Sequence, residues 1–132
     1  MPAGGEFGAL EGRKYLSLET YRKNGQGVRT PVWFAAPADT GAAIPTLYIY
    51  TTADTGKAKR IRNNGAVRIA PCDARGTVAG PWIDALARII TGAEAHDGMR
   101  LLDRKYFPWK QLLRVFALFR PRERIVIAIR AA

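Results

Sequence analysis

The sequence predicts a small antiparallel β-barrel with peripheral helices, and three observations carry that expectation. Segments that alternate apolar and polar residues follow one another through turn-rich connections, a sustained helical pattern appears late, and an Ile-rich alternating segment comes last. The chain has 132 residues, 48% hydrophobic and 10% aromatic, which suits one domain with a real core and excludes a disordered tail or linker.

Residues 1–14 start Gly- and Ala-rich, with Phe7 and Leu10 at helical spacing, and read as a flexible segment (1–13) with a brief helix. Tyr15 to Tyr21 alternates, with Leu16, Leu18 and Thr20 on one side and Tyr15, Ser17, Glu19 and Tyr21 on the other. Asn24-Gly25 then marks a hairpin turn. Val28 to Ala35 returns as a strand that puts Val28, Thr30, Val32 and Phe34 on one face and Arg29, Pro31, Trp33 and Ala35 on the other. Pro31 has no N–H for a ladder, so it marks an edge, a bulge or a place where the sheet opens, and a flat ligand would fit there.

After an Ala-, Pro-, Asp- and Gly-containing loop from Ala36 to Pro45, Thr46 to Thr52 forms a third strand rich in Tyr, Ile and Thr. Lys57 to Asn63 has room for about two helical turns before the stop signal Asn64-Gly65. Val67 and Ile69 form a short strand ending at Pro71, and Asp73 to Gly76 is a turn. Trp82 to Ile90 fits helical and strand spacing alike, so periodicity leaves it open. From Glu94 the spacing of Met99, Leu102 and Tyr106 is helical, and Pro108 is placed to begin a second helix carrying Leu112, Leu113 and Phe116. Arg124 to Arg130 is a final strand with Ile125, Ile127 and Ile129 on one face. The expectation is one domain over 1–132, with 93–120 a helical insertion before the last strand.

Lys and Arg number 21 against 11 Asp and Glu, a formal charge of +10, so the ligand or partner should be anionic: a nucleic acid, a membrane surface or a phosphorylated small molecule. The single cysteine, Cys72, excludes an intramolecular disulfide, and the single histidine, His96, excludes a Cys/His zinc site; no metal is expected. No apolar run approaches the roughly 18 residues of a membrane span, and no secretion-type leader is seen. A cytoplasmic protein without integral membrane association is expected.

The sharpest constellation is Tyr50-Thr51-Thr52-Ala53-Asp54-Thr55-Gly56-Lys57-Ala58-Lys59-Arg60. Hydroxyls at Thr51, Thr52 and Thr55, N–H groups at a helix start, and Lys57 and Arg60 on one helical face would converge on a phosphate. A solvated basic helix behind a capped turn accounts for the same residues. It is not a Walker A loop, since Thr51 stands in place of the first glycine and Ala58 follows Lys57; hydrolysis of nucleoside triphosphates is not expected. Cys72 reads as a small packing residue, His96 beside Asp97 as a surface residue, and Trp82 and Trp109 as core or interface aromatics. Arg75 either reaches an anionic ligand arm or is solvated. The basic stretch Trp109 to Arg124 reads as a helix with one packed face rather than a membrane or nucleic-acid helix.

Three motifs occur in order: Arg29-Thr30-Pro31-Val32-Trp33-Phe34, the run from Thr55-Gly56-Lys57 to Asn63-Asn64, and Ala70-Pro71-Cys72-Asp73-Ala74-Arg75-Gly76. On them the chain resembles the pyridoxamine 5′-phosphate oxidase-like family over residues 14–131, and more narrowly its small flavin- or deazaflavin-dependent oxidoreductases. The resemblance implies a mainly β (α+β) fold, a six-stranded antiparallel split β-barrel of the FMN-binding type with peripheral helices. It also implies a homodimer with the cofactor groove at its interface, a strand over Trp82 to Ile90, and a helical region from Glu94 packed outside the barrel.

Carried over residue by residue, Arg29, Thr30, Pro31, Val32 and Trp33 match the strand lining the tricyclic ring, and Tyr50 and Thr51 the ribityl and phosphate contacts. Thr55 and Lys57, flanking Gly56, match the phosphate holders; Arg60 is a second cation, and Thr52 adds a hydroxyl. The chain departs from the commoner pattern at Thr55, often Ser, and at Gly65, often Pro; the first keeps the hydroxyl and the second affects only how the helix ends. The implied cofactor is the deazaflavin F-420 or FMN, with FAD less favoured, and the surplus of cations suits the polyglutamate tail of F-420. The implied reaction is hydride transfer between that cofactor and a small organic substrate, with no catalytic side chain assigned and no nucleic-acid partner. The alternative is a non-catalytic binder of a flavin or haem-derived pigment, or a basic nucleic-acid-binding barrel.

Overall fold

The structure, a computed structural model, describes residues 7, 10, 12–36, 46–52, 55–105 and 124–132. Its elements in chain order are β1 (Tyr15–Tyr21), β2 (Gly27–Trp33), β3 (Thr46–Thr52), α1 (Gly56–Asn63), β4 (Ala66–Cys72), β5 (Ile83–Ile90), α2 (Gly92–Lys105) and β6 (Arg124–Ala131). The strands form one antiparallel sheet in the order β2-β1-β4-β5-β6-β3. The sheet curls until its two edges meet at one place: Ala35, just past β2, exchanges backbone hydrogen bonds of 2.9 and 2.8 Å with Tyr48 on β3. Elsewhere the edges stay apart among the described residues, which makes this a split barrel.

The strand alternation expected from the sequence decides what fills it. Leu16 and Leu18 of β1, Ile49 of β3, Ile69 of β4 and Ile127 and Ile129 of β6 are fully buried in one apolar core. Ile61 of α1 joins them, as do Phe7 and Leu10 from the N-terminal segment. α2 packs on the outer face instead. Leu102 meets Ala35 and the aromatic residues Trp33, Tyr48 and Tyr50, while Ala95 and Met99 meet Ile90, Val126 and Ala128. The helix comes this close because position 98 is glycine: a Cβ there would lie 2.9 Å from Tyr48 Cδ1 and 3.1 Å from Val126 Cγ1. Glu94 in the first turn of α2 adds an ion pair to Arg88 at 3.0 Å and accepts a hydrogen bond from the Tyr48 hydroxyl at 3.3 Å.

The sheet resolves what periodicity left open. Trp82 to Ile90 is strand from Ile83 on, because pairing with both β4 and β6 rewards alternation: Ala85 and Ala87 face the core while Asp84, Leu86 and Arg88 face out. Pro31 lies in β2, an edge strand, one of the places its missing donor allows. The first hairpin uses a five-residue loop, 22–26, with Gly25 at φ +86° and Arg22 donating to the Gln26 carbonyl at 2.9 Å, so β2 begins at Gly27.

α1 stops at Asn63, before Asn64-Gly65 as expected, but not through a left-handed glycine. Asn64 ends α1 in an extended conformation, and Gly65 has no positive φ. Gly65 is needed for space, since a Cβ would stand 2.8 Å from the Ala87 carbonyl oxygen. The other side of β1 is buried as well, with Ser17 and Glu19 2% and 4% exposed. The second helix expected from Pro108, with Trp109, lies outside the described residues.

Candidate functional site

Thr51 is the last inward-facing residue of β3, and Thr55 is the N-cap of α1. The Thr55 hydroxyl lies 3.0 Å from the Thr52 carbonyl, 3.3 Å from the Ala58 N–H and 3.1 Å from the Thr51 hydroxyl. These hydroxyls therefore shape the turn and cap the helix. The cap engages the third N–H of the helix and leaves those of Gly56 and Lys57, at the first two positions, without intrahelical partners.

Lys57 and Arg60, three apart, share one side of α1. The Arg60 Nε donates to the buried Thr20 hydroxyl on β1 at 2.6 Å, and its guanidinium folds back over the helix start, so a Cβ on Gly56 would lie 2.7 Å from Arg60 Nη1. Among the described residues no carboxylate pairs with either cation. Burial, then Arg60, pushes the Lys57 ammonium below its ordinary pKa; burial, then Arg22, does the same to the Arg60 guanidinium. The arrangement is a half-buried cluster of positive charge at a helix N-terminus, which is the electrostatic requirement of a phosphate site.

On the α2 side of the sheet, packed with Ala35 and Leu102, Trp33 and Tyr50 form an aromatic pair with centroids 6.4 Å apart and planes at 55°. Thr52 lies on the same outward side of β3 as Tyr50, while Thr30 and Val32 belong to the opposite face of β2 from Trp33. Pro31 is exposed on that edge strand.

The structure thus draws Thr51, Thr55, Gly56, Lys57 and Arg60 together around the turn into α1, where Thr52 contributes its carbonyl, and it leaves Tyr50, paired with Trp33, one residue before Thr51 on the opposite face of β3. It sets Arg29 apart. The Arg29 Nε binds Glu19 Oε2 at 2.7 Å, and its guanidinium lies 4.5 Å from the centre of Trp82. Arg68 completes that cluster, 2.8 Å from Glu19 Oε1 and 5.2 Å from the same indole.

Sequence reasoning missed Thr20 and Arg22. The run from Thr20 to Lys23 looks like a strand end entering a turn, and only the packing of α1 across β1 reveals the contact. Cys72 is 3% exposed, and burial, reinforced by Asp73, raises its thiol pKa, which agrees with a packing role. His96 is on the exposed side of α2. Among the described residues no group of His, Cys, Asp and Glu is placed to hold a metal ion, and no helix is long and apolar enough to cross a membrane.

No sequence family and no curated protein matches the chain. Solved structures do, at low identity, and they define the fold as that of the pyridoxamine 5′-phosphate oxidase-like split barrels. The heme storage protein HutZ from Vibrio cholerae superposes with a TM-score of 0.63 at 13% identity over 92% of this chain and 84% of that one. A protein from Clostridium acetobutylicum related to general stress protein 26, of the pyridoxinephosphate oxidase family, gives 0.62 at 14% identity over 94% and 79%. An F-420 reductase gives 0.58 at 21% identity over 100% and 96%.

Proposed function

We propose that this chain binds a phosphorylated flavin-type cofactor, F-420 or FMN, and is an oxidoreductase that passes a hydride between it and a small organic substrate. The reading rests on Lys57 and Arg60, which have no carboxylate partner among the described residues, at the capped start of α1, in the segment that follows Tyr50 of the Trp33–Tyr50 aromatic pair. That combination suits a ligand with an anionic end and a flat end. Gly56 supports the fit, because any side chain there would push aside the Arg60 guanidinium.

Lys57, Arg60 and the α1 amides would hold the phosphate, and Thr51 and Thr55 would set the turn that presents them. Trp33 and Tyr50 would wall the ring, with Pro31 leaving the strand edge open beside them. The bound cofactor would supply the hydride chemistry, while the chain supplies orientation and a water-poor wall. A homodimer with the groove at its interface, in the cytoplasm, completes the proposal.

The test is a titration of cofactor-free protein with F-420, FMN and FAD, followed by quenching of cofactor fluorescence. Binding of F-420 or FMN at about micromolar Kd or tighter supports the reading. Failure of all three overturns it and favours the second reading, a haem-type pigment binder, which the likeness to a heme storage protein supports. A haem titration read by the Soret band then decides.

A further inference from the structure

Arg60 is held in place from outside its own helix. Thr20 is the last inward-facing residue of β1, 1% exposed, and the only hydrogen bond described for its hydroxyl comes from Arg60 Nε at 2.6 Å. An arginine side chain loses about 2 kcal/mol of rotamer freedom when fixed, so a single buried acceptor that fixes the guanidinium in advance lowers the cost of binding. The bond takes the Nε donor and leaves the two Nη groups to face a ligand.

Their direction is visible at Gly56. The site of its missing Cβ is 2.7 Å from Nη1 and 3.5 Å from Nη2, so both terminal nitrogens overhang the first residue of α1. An anion on the first amides of α1 meets the guanidinium without further movement of Arg60.

We infer that Thr20 is a positioning residue that aims Arg60 at the helix N-terminus, making the site selective for ligands that carry a phosphate on the ribityl chain over the same ring system without one. This inference rests on the proposed cofactor reading. Thr20 does not touch the ligand. It acts through Arg60, and Gly56 acts with it by keeping the overhang clear.

The test compares FMN with riboflavin, which differ by the phosphate alone, and F-420 with its deazariboflavin core, on wild type and on Thr20→Val, which keeps the shape and removes the hydroxyl. The expected result is a roughly tenfold loss of affinity for the phosphorylated ligand. Affinity for the phosphate-free ring should stay within about twofold, and Thr20→Ser should restore the preference. Gly56→Ala, at an exposed helical position that tolerates alanine, should lower the same preference from the other side.

Equal affinity of T20V and wild type for the phosphorylated ligand overturns the inference and leaves the cofactor reading standing. Equal loss of both ligands in T20V also overturns it, because it shows a merely structural role. If wild type binds neither FMN nor F-420, both readings fall.

Discussion

Replacing Glu19 by Gln tests whether one buried carboxylate organises the outer face of β1, β2 and β4. Glu19 accepts hydrogen bonds from Arg29 at 2.7 Å, Arg68 at 2.8 Å and the Tyr21 hydroxyl at 2.7 Å, and both guanidinium groups stack near Trp82. Burial alone would raise its pKa, but the bonds from Arg29, Tyr21 and Arg68 outweigh it and hold the carboxyl at about 2 instead of 4.5. At about 1.36 kcal/mol per pKa unit, that gap corresponds to about 3 kcal/mol in favour of the ionised fold.

Solvent reaches both arginines, 55% and 37% exposed, so screening reduces the expected effect to about 2 kcal/mol. Because the folded-state pKa is depressed, this stabilisation is complete above pH 4.5 and is lost as pH falls through 2. Urea unfolding of wild type and E19Q should therefore differ by about 2 kcal/mol at neutral pH. The difference should shrink between pH 4.5 and 2, since glutamine does not titrate. Equal stability at neutral pH, or a difference that persists unchanged below pH 2, would show that Glu19 does not organise this face.

The double variant Lys57→Ala/Arg60→Ala should stay folded and bind F-420 or FMN at least about tenfold more weakly, about 1.4 kcal/mol, by fluorescence titration; unchanged affinity in a folded double variant sinks the phosphate assignment. Gly65→Ala should lower stability by about 1–3 kcal/mol in thermal or urea unfolding, because its Cβ meets a backbone oxygen that cannot rotate away. Cys72, buried and with its thiol pKa raised by burial and Asp73, should react with a thiol reagent only slowly until the protein is unfolded, and rapid labelling of native protein would contradict the packing role.

Local sequence carried most of the strand framework. β1, from Tyr15 to Tyr21, and β3, from Thr46 to Thr52, match their expected limits because alternation, β-branched content and flanking turn residues all agree there. The candidate α1 cluster was legible for a related reason: its hydroxyls, glycine and cations are contiguous, so one short segment contains most of its groups. Trp82 to Ile90 was not legible from its own spacing. A short apolar run satisfies both periods, and only pairing with β4 and β6 chooses strand.

The candidate site divides along the same line. Local sequence was enough for a positively charged chain, a capped helix start carrying Lys57 and Arg60, and an edge-type strand around Pro31, since each depends on neighbours in the chain. The tertiary structure alone decided that Arg29 serves Glu19 and Trp82, that Gly65 exists for clearance against Ala87, and that Thr20 holds Arg60. These contacts join residues up to 53 positions apart, as with Arg29 and Trp82. Residue type specifies what such groups are able to bond, whereas the curl of the sheet determines which partner reaches them first.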